Sequence, residues 1–116
     1  MSELPSLDPA AAKAIAPLLG IGGKSGDTVV GLSALRRCRP LAYVFVAPGL
    51  GAGTLRELAG WRRQGTAVCR VEDWAELVGP VGREDALVIG IKPGPMAEGV
   101  RQKLRASGAG EEQAEV

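Results

Sequence analysis

Residues 18–39 read LLGIGGKSGDTVVGLSALRRCR, and the fold follows from how that stretch is divided. It opens on the end of a helix and passes through a glycine-rich segment, 20–26, expected as a loop carrying Lys24. A short apolar strand follows at Thr28-Val29-Val30. Gly31 then opens a second helix, expected from Leu32 to about Arg39, where Pro40 stops it. Leu32 and Leu35 should face inward, with Arg36, Arg37 and Arg39 toward solvent. A glycine at a helix entrance lets a partner approach the first-turn backbone. Free N–H groups there attract anions, and two arginines stand one turn further on.

Upstream, Asp8 offers an N-cap with Pro9 at the first helical position. A helix is therefore expected from residue 9, with Ile15, Leu18 and Leu19 on one face and Pro17 kinking or dividing it. Residues 1–7 read as a flexible lead-in. Downstream, LAYVFVA (41–47) is a continuous apolar run between prolines, the pattern of a strand buried on both faces. Thr54-Leu55-Arg56-Glu57 reads as a capping box opening a third helix to Gln64, with Gly65 as its stop. A strand at 66–71 is followed by a second capping box, Asp73-Trp74-Ala75-Glu76, and a short helix ending near Val78. After a turn at Gly79-Pro80-Val81-Gly82 comes a third buried strand, ALVIGI (86–91). Pro93-Gly94-Pro95 then introduces a last helix to about Arg105. Residues 106–116 are small, polar and acidic, and are expected to be disordered. Strands alternating with helices give a single α/β domain over 8–105, a three-layer α/β/α sandwich about a small, largely parallel or mixed sheet.

The 116 residues suffice for one modest core. Aromatics make up only 3%, so Leu, Val, Ile and Ala must fill it. The net charge of +1 conceals an asymmetry. Residues 9–105 hold all 14 Lys and Arg but only eight acids, so the body is basic and the ends acidic. Such a body suits a polyanion partner. Cys38 and Cys69 form no C-x-x-C pair and the chain has no histidine, which leaves no metal-ligand spacing and two buried thiols of a reducing compartment. The acidic start lacks the basic residues of a secretory signal, and the longest apolar run is too short to span a bilayer. The expectation is a cytoplasmic protein with no cofactor.

Two segments imitate nucleotide-binding loops. Gly22-Gly23-Lys24-Ser25 resembles the end of G-x-x-x-x-G-K-[ST], but Leu18 stands at the first glycine and a helix precedes it where a strand is needed. Gly49-Leu50-Gly51-Ala52-Gly53-Thr54 follows a buried strand, with Glu72 and Asp73 about twenty residues on. That arrangement imitates a dinucleotide fingerprint with its ribose-binding acid, although Thr54 replaces the last glycine. Without histidine, a general base would have to be a carboxylate, a lysine or the N-terminus. Ser25 and Ser33 have no activating neighbour in sequence. The chain reads as non-catalytic.

Several motifs in register resemble the kink-turn RNA-binding ribosomal-protein family of the archaeal L-seven-Ae type, most closely its small bacterial members. Leu19, Gly20 and Gly26 match the family's LGLARRAG, with Lys24 on a basic position. Val29-Val30-Gly31 matches V-x-G, residues 43–47 match the central strand, and Thr54 matches the threonine after it. Glu76-Leu77, Val81-Gly82-Arg83 and Asp85 match E-L-G-x-x-V-G-R-x-D. The resemblance implies an α/β/α sandwich gripping sharply bent RNA between a helix entrance, G-x-N-E-x-x-K, and an apolar turn. Gly31 keeps that glycine, while Ser33 stands for the asparagine, Ala34 for the glutamate and Arg37 for the lysine. The turn corresponds to Val78, Gly79, Pro80 and Val81. The implied RNA-binding set is thus Lys24, Gly31, Leu32, Ser33, Arg36, Arg37, Val78, Gly79, Pro80 and Val81, facing a structured, kink-turn-like RNA, ribosomal RNA included. Two other readings stay open. One is a protein-interaction or assembly module that kept the fold and lost the RNA contacts, suggested by Ala34 and Val29-Val30. The other is a nucleotide-binding module on residues 49–54.

Overall fold

A computed structural model describes residues 4–83 and 85–106. Its strands are β1 (Ser6–Leu7), β2 (Thr28–Val30), β3 (Tyr43–Val46), β4 (Ala67–Val71) and β5 (Val88–Ile91). They form one sheet in the order β1-β4-β3-β5-β2. β1, β4 and β3 run parallel, and β5 lies antiparallel to both β3 and β2. The helices are α1 (Pro9–Ser25), α2 (Leu32–Arg37), α3 (Ala52–Arg63), α4 (Trp74–Val78) and α5 (Pro95–Ala106), with a 3-10 turn at Gly79–Val81.

Alternation along β3 explains the layers. Val44 and Val46 point to one face of the sheet, where Leu35 of α2 and Leu58 and Trp61 of α3 cover them. Phe45 points to the other, against Ile15 and Leu19 of α1, Leu77 of α4, and Val100 and Leu104 of α5. Strands of period two between helices on both faces make the α/β/α sandwich. Because β2, β3 and β4 share one direction and β5 the opposite one, the first three finish where β5 starts. That end of the sheet therefore collects the α2 and α3 entrances and the approach to β5.

The structure departs from the sequence expectations at several places. Residues 20–26 are not a loop: α1 continues through Ser25 and stops at Gly26, whose left-handed φ of 89° forms the C-cap. Gly22 is held there by close packing on Thr28, whose hydroxyl donates to the Leu19 carbonyl at 3.0 Å. Pro17 does not divide the helix. It is exposed, as is Lys13 whose carbonyl it leaves without an amide partner, so water can supply the missing bond. The lead-in is not free either: Ser6 and Leu7 pair with Arg70 and Val71, and Leu7 is buried. α2 ends at Arg37, with the Cys38 amide donating to the Ala34 and Leu35 carbonyls. The 41–47, 66–71 and 86–91 segments narrow to the strands given above.

Both capping boxes fail. α3 starts one turn early from Gly51, which puts Thr54 inside its first turn. Asp73 does stand at the N-cap of α4, but its side chain makes no cap bond. Asp8 caps α1 as expected, accepting from the Ala11 amide at 2.9 Å. Both thiols are free and half-buried rather than fully so, and burial pushes Cys69 up to about 11. The expected disorder of residues 107–116 lies outside the described residues, while Ala106 closes α5. Among the described residues, no helix is long and apolar enough to cross a membrane.

Candidate functional site

Gly31 holds a conformation that few other residues accept, φ 93° and ψ 144°. Open space surrounds the position of its absent Cβ, so the backbone angle, not crowding, selects glycine. Its amide donates to the Val88 carbonyl at 3.1 Å, and its carbonyl accepts from the Leu35 amide at 3.0 Å. The first bond fastens the α2 entrance directly to the start of β5. One residue earlier, the Leu87 carbonyl accepts from the Ala47 amide at 2.9 Å, while the Leu87 side chain is 51% exposed. An apolar side chain in water thus stands beside the glycine opening.

The sequence-derived residues divide into three groups. Gly31, Leu32, Ser33 and Arg37 come together on α2. Leu32 packs partly into the α2–α3 core, and Ser33 and Arg37 are exposed one turn apart. Arg37 makes no hydrogen bond or ion pair among the described residues. Arg36 is not a free phosphate ligand. Its Nε and Nη2 both donate to the Glu57 carboxylate at 2.8 Å. This bidentate bond comes first among the causes holding the Glu57 carboxyl below the usual carboxylate range.

The 3-10 turn is the second group, and it packs against α1. Val78 is 2% exposed and lies in the α1-side core, so it cannot meet a ligand. Val81 packs partly against the same core. Gly79 and Pro80 are exposed, and Pro80 closes on Gly20 of α1 so tightly that a Cβ at Gly20 would lie 3.1 Å from the proline Cβ. Leu87 is thus the exposed apolar side chain at the α2 entrance, while Val78 and Val81 pack into the α1-side core. Nothing in the sequence singles out Leu87, because ALVIGI reads as one uninterrupted strand. The ladder begins only at Val88, which leaves the preceding leucine outside both cores.

Lys24 forms the third group. It stands in the last turn of α1 beside a groove lined by Pro17, Gly20, Ile21, Ser25 and Pro80. β2 runs from that helix end to Gly31, so Lys24 and Gly31 stand at opposite ends of the strand. The nucleotide-loop imitations also take definite shapes. Residues 22–25 are helical, with the Ser25 hydroxyl donating to the Asp27 carboxylate at 2.8 Å. Gly49 has φ 90°, and Glu72 pairs with Arg70 at 2.9 Å. Among the described residues, no cluster of three or more His, Cys, Asp and Glu could hold a metal ion.

No protein-family model and no curated protein matches the chain. Among solved structures, the chain is similar to a Bacillus halodurans protein described as having unknown function, with a TM-score of 0.63 and 17% sequence identity. The match covers 81% of this chain and 98% of that one. At that identity the likeness concerns the fold alone.

Proposed function

We propose that this chain is a non-catalytic, cytoplasmic RNA-binding protein of the kink-turn-binding ribosomal type, contacting structured RNA at the end of the sheet where α2 begins. One observation carries the reading: the 3.1 Å bond from the Gly31 amide to the Val88 carbonyl, which sets a glycine opening, the exposed Leu87 and the start of α2 side by side. In this site Gly31 admits a sugar–phosphate backbone. Arg37 holds a phosphate, Ser33 supplies a polar contact, and Leu87 offers an apolar surface to an unstacked base. Ala34 supplies no base-edge hydrogen bond where the family carries glutamate. Discrimination among sequences is accordingly weaker, each missing bidentate contact being worth about 1–3 kcal/mol.

Fluorescence anisotropy with a kink-turn RNA and a straight duplex of the same length tests the reading. The kink-turn RNA should bind more tightly in about 50 mM salt, and Arg37→Ala should lower the slope of log K against log salt by roughly one unit. Equal affinity for the two RNAs would refute it.

The assembly-module reading draws on the groove beside Lys24, where Ile21 is 58% exposed next to Pro17 and Pro80. Sedimentation of the purified protein separates the two. A stable oligomer that Ile21→Ser dissolves, carrying no nucleic acid, favours assembly.

A further inference from the structure

Arginine is distributed unevenly between the two helical layers. Residues 32–64, which supply α2 and α3, contain six arginines and a single acid, Glu57. Glu57 is already occupied by Arg36. Arg39 lies over the Trp61 ring, 4.7 Å from its centroid, and bonds to Gln64. Arg36 fastens α2 to α3, and Arg39 fastens the segment just after α2 to the end of α3. The other four, Arg37, Arg56, Arg62 and Arg63, are exposed and make no ion pair or hydrogen bond among the described residues. Elsewhere three of the four arginines are paired, Arg70 with Glu72 at 2.9 Å, Arg83 with Asp85 at 3.5 Å and Arg101 with Glu98 at 3.6 Å, and Arg105 alone has no such partner among the described residues. Four of the five unpaired guanidinium groups among the described residues therefore belong to the α2–α3 layer.

The outward face of α3 has a matching shape. Gly53, Arg56, Gly60 and Arg63 recur at spacings of three, four and three, one stripe of a helix, opposite the buried Leu58 and Trp61. The glycines keep the helix surface low between the arginines. Arg56 and Arg63 stand about 10 Å apart along the axis at 1.5 Å per residue. Over that length a DNA duplex presents roughly six phosphate charges at one per 1.7 Å, and the shorter rise of an RNA duplex presents at least as many. Guanidinium groups suit this ligand because they bond phosphate oxygens in pairs.

We propose that the outer face of α3, with Arg56 and Arg63, is a second nucleic-acid surface. It would bind the phosphate backbone of a duplex stem without reading its sequence. The choice of RNA as the polyanion rests on the function proposed above, but the surface stands on its own charges. It would take the straight stem beside a bend held at Gly31.

Anisotropy titrations of a labelled kink-turn RNA and a plain 20-base-pair RNA duplex across a salt series test it. Arg56→Ala with Arg63→Ala should lower the salt slope by about 1.8, at 0.9 per cation, on both RNAs. A charge-matched control on the opposite layer, Arg101→Ala with Arg105→Ala, should leave the slope nearly unchanged. Both changes raise helix propensity, and circular dichroism checks the fold. An unchanged slope in the Arg56/Arg63 variant overturns the proposal, as does an equal drop in the control or no duplex binding in about 50 mM salt. Failures separate cleanly. A lost slope without kink-turn preference refutes the Gly31 site and supports this surface, whereas kept preference with an unchanged slope refutes this surface alone.

Discussion

Two neighbouring glycines near the end of α1 should answer the same substitution with opposite signs. A Cβ added at Gly22 would lie 2.2 Å from the Thr28 hydroxyl oxygen and 3.3 Å from its Cβ. Thr28 is buried and its hydroxyl donates to the Leu19 carbonyl, so it cannot swing away without losing that bond. Overpacking of this kind costs about 1–3 kcal/mol, and the lost hydrogen bond adds about 1 kcal/mol. Alanine returns about 1 kcal/mol in helix propensity. Gly22→Ala should therefore destabilise the protein by roughly 1–3 kcal/mol. At Gly23 an added Cβ meets nothing within 4 Å, so Gly23→Ala should stabilise by about 0.5–1 kcal/mol. Urea unfolding followed by circular dichroism measures both. Placing Gly22→Ala in a Thr28→Ala background should shrink its penalty, a coupling of about 0.5–3 kcal/mol. If both alanines stabilise equally, or both destabilise, residues 20–25 do not form the helix packed on Thr28.

Three further outcomes follow from particular contacts. Gly31→Ala places a side chain at φ 93° and should cost about 1–3 kcal/mol in urea unfolding despite the open space around it. Arg36 depresses the Glu57 carboxyl, so the stability it lends is present above the ordinary carboxylate range and is lost as pH falls through the lowered value. Glu57→Gln should lower the urea midpoint at pH 7 and converge with the parent protein at acid pH; a constant difference would contradict the pairing. Burial pushes the Cys69 thiol up to about 11, so in a Cys38→Ser protein iodoacetamide at pH 8 should label Cys69 only after denaturation.

The layers were readable in the sequence because both signals that set them are local. The run around Val44 and Phe45 announces a strand buried on both faces, and Pro40 and Gly65 punctuate their helices. The far end of α1 was not readable: Gly20, Gly22 and Gly23 look like a loop. Gly20 and Gly22 pack in the helix against Pro80 and Thr28, contacts that no local pattern of residues 20–26 announces. Thr54 shows the same gap, since a capping-box pattern is equally satisfied by a helix that began a turn earlier, and Glu57 instead crosses to Arg36. At the candidate site, Gly31 and Arg37 were legible from position. Leu87 was not, because where a ladder begins depends on the register between β5 and β2.

An amide chemical-shift map of the ¹⁵N-labelled protein titrated with a kink-turn RNA asks where on the molecule the RNA sits. Shifts centred on Gly31, Ser33, Arg37 and Leu87, with Val78 and the groove beside Lys24 unmoved, are the expected result. Shifts confined to the α1 groove, or none in about 50 mM salt, would contradict the claim that the α2 entrance and the start of β5 together meet RNA.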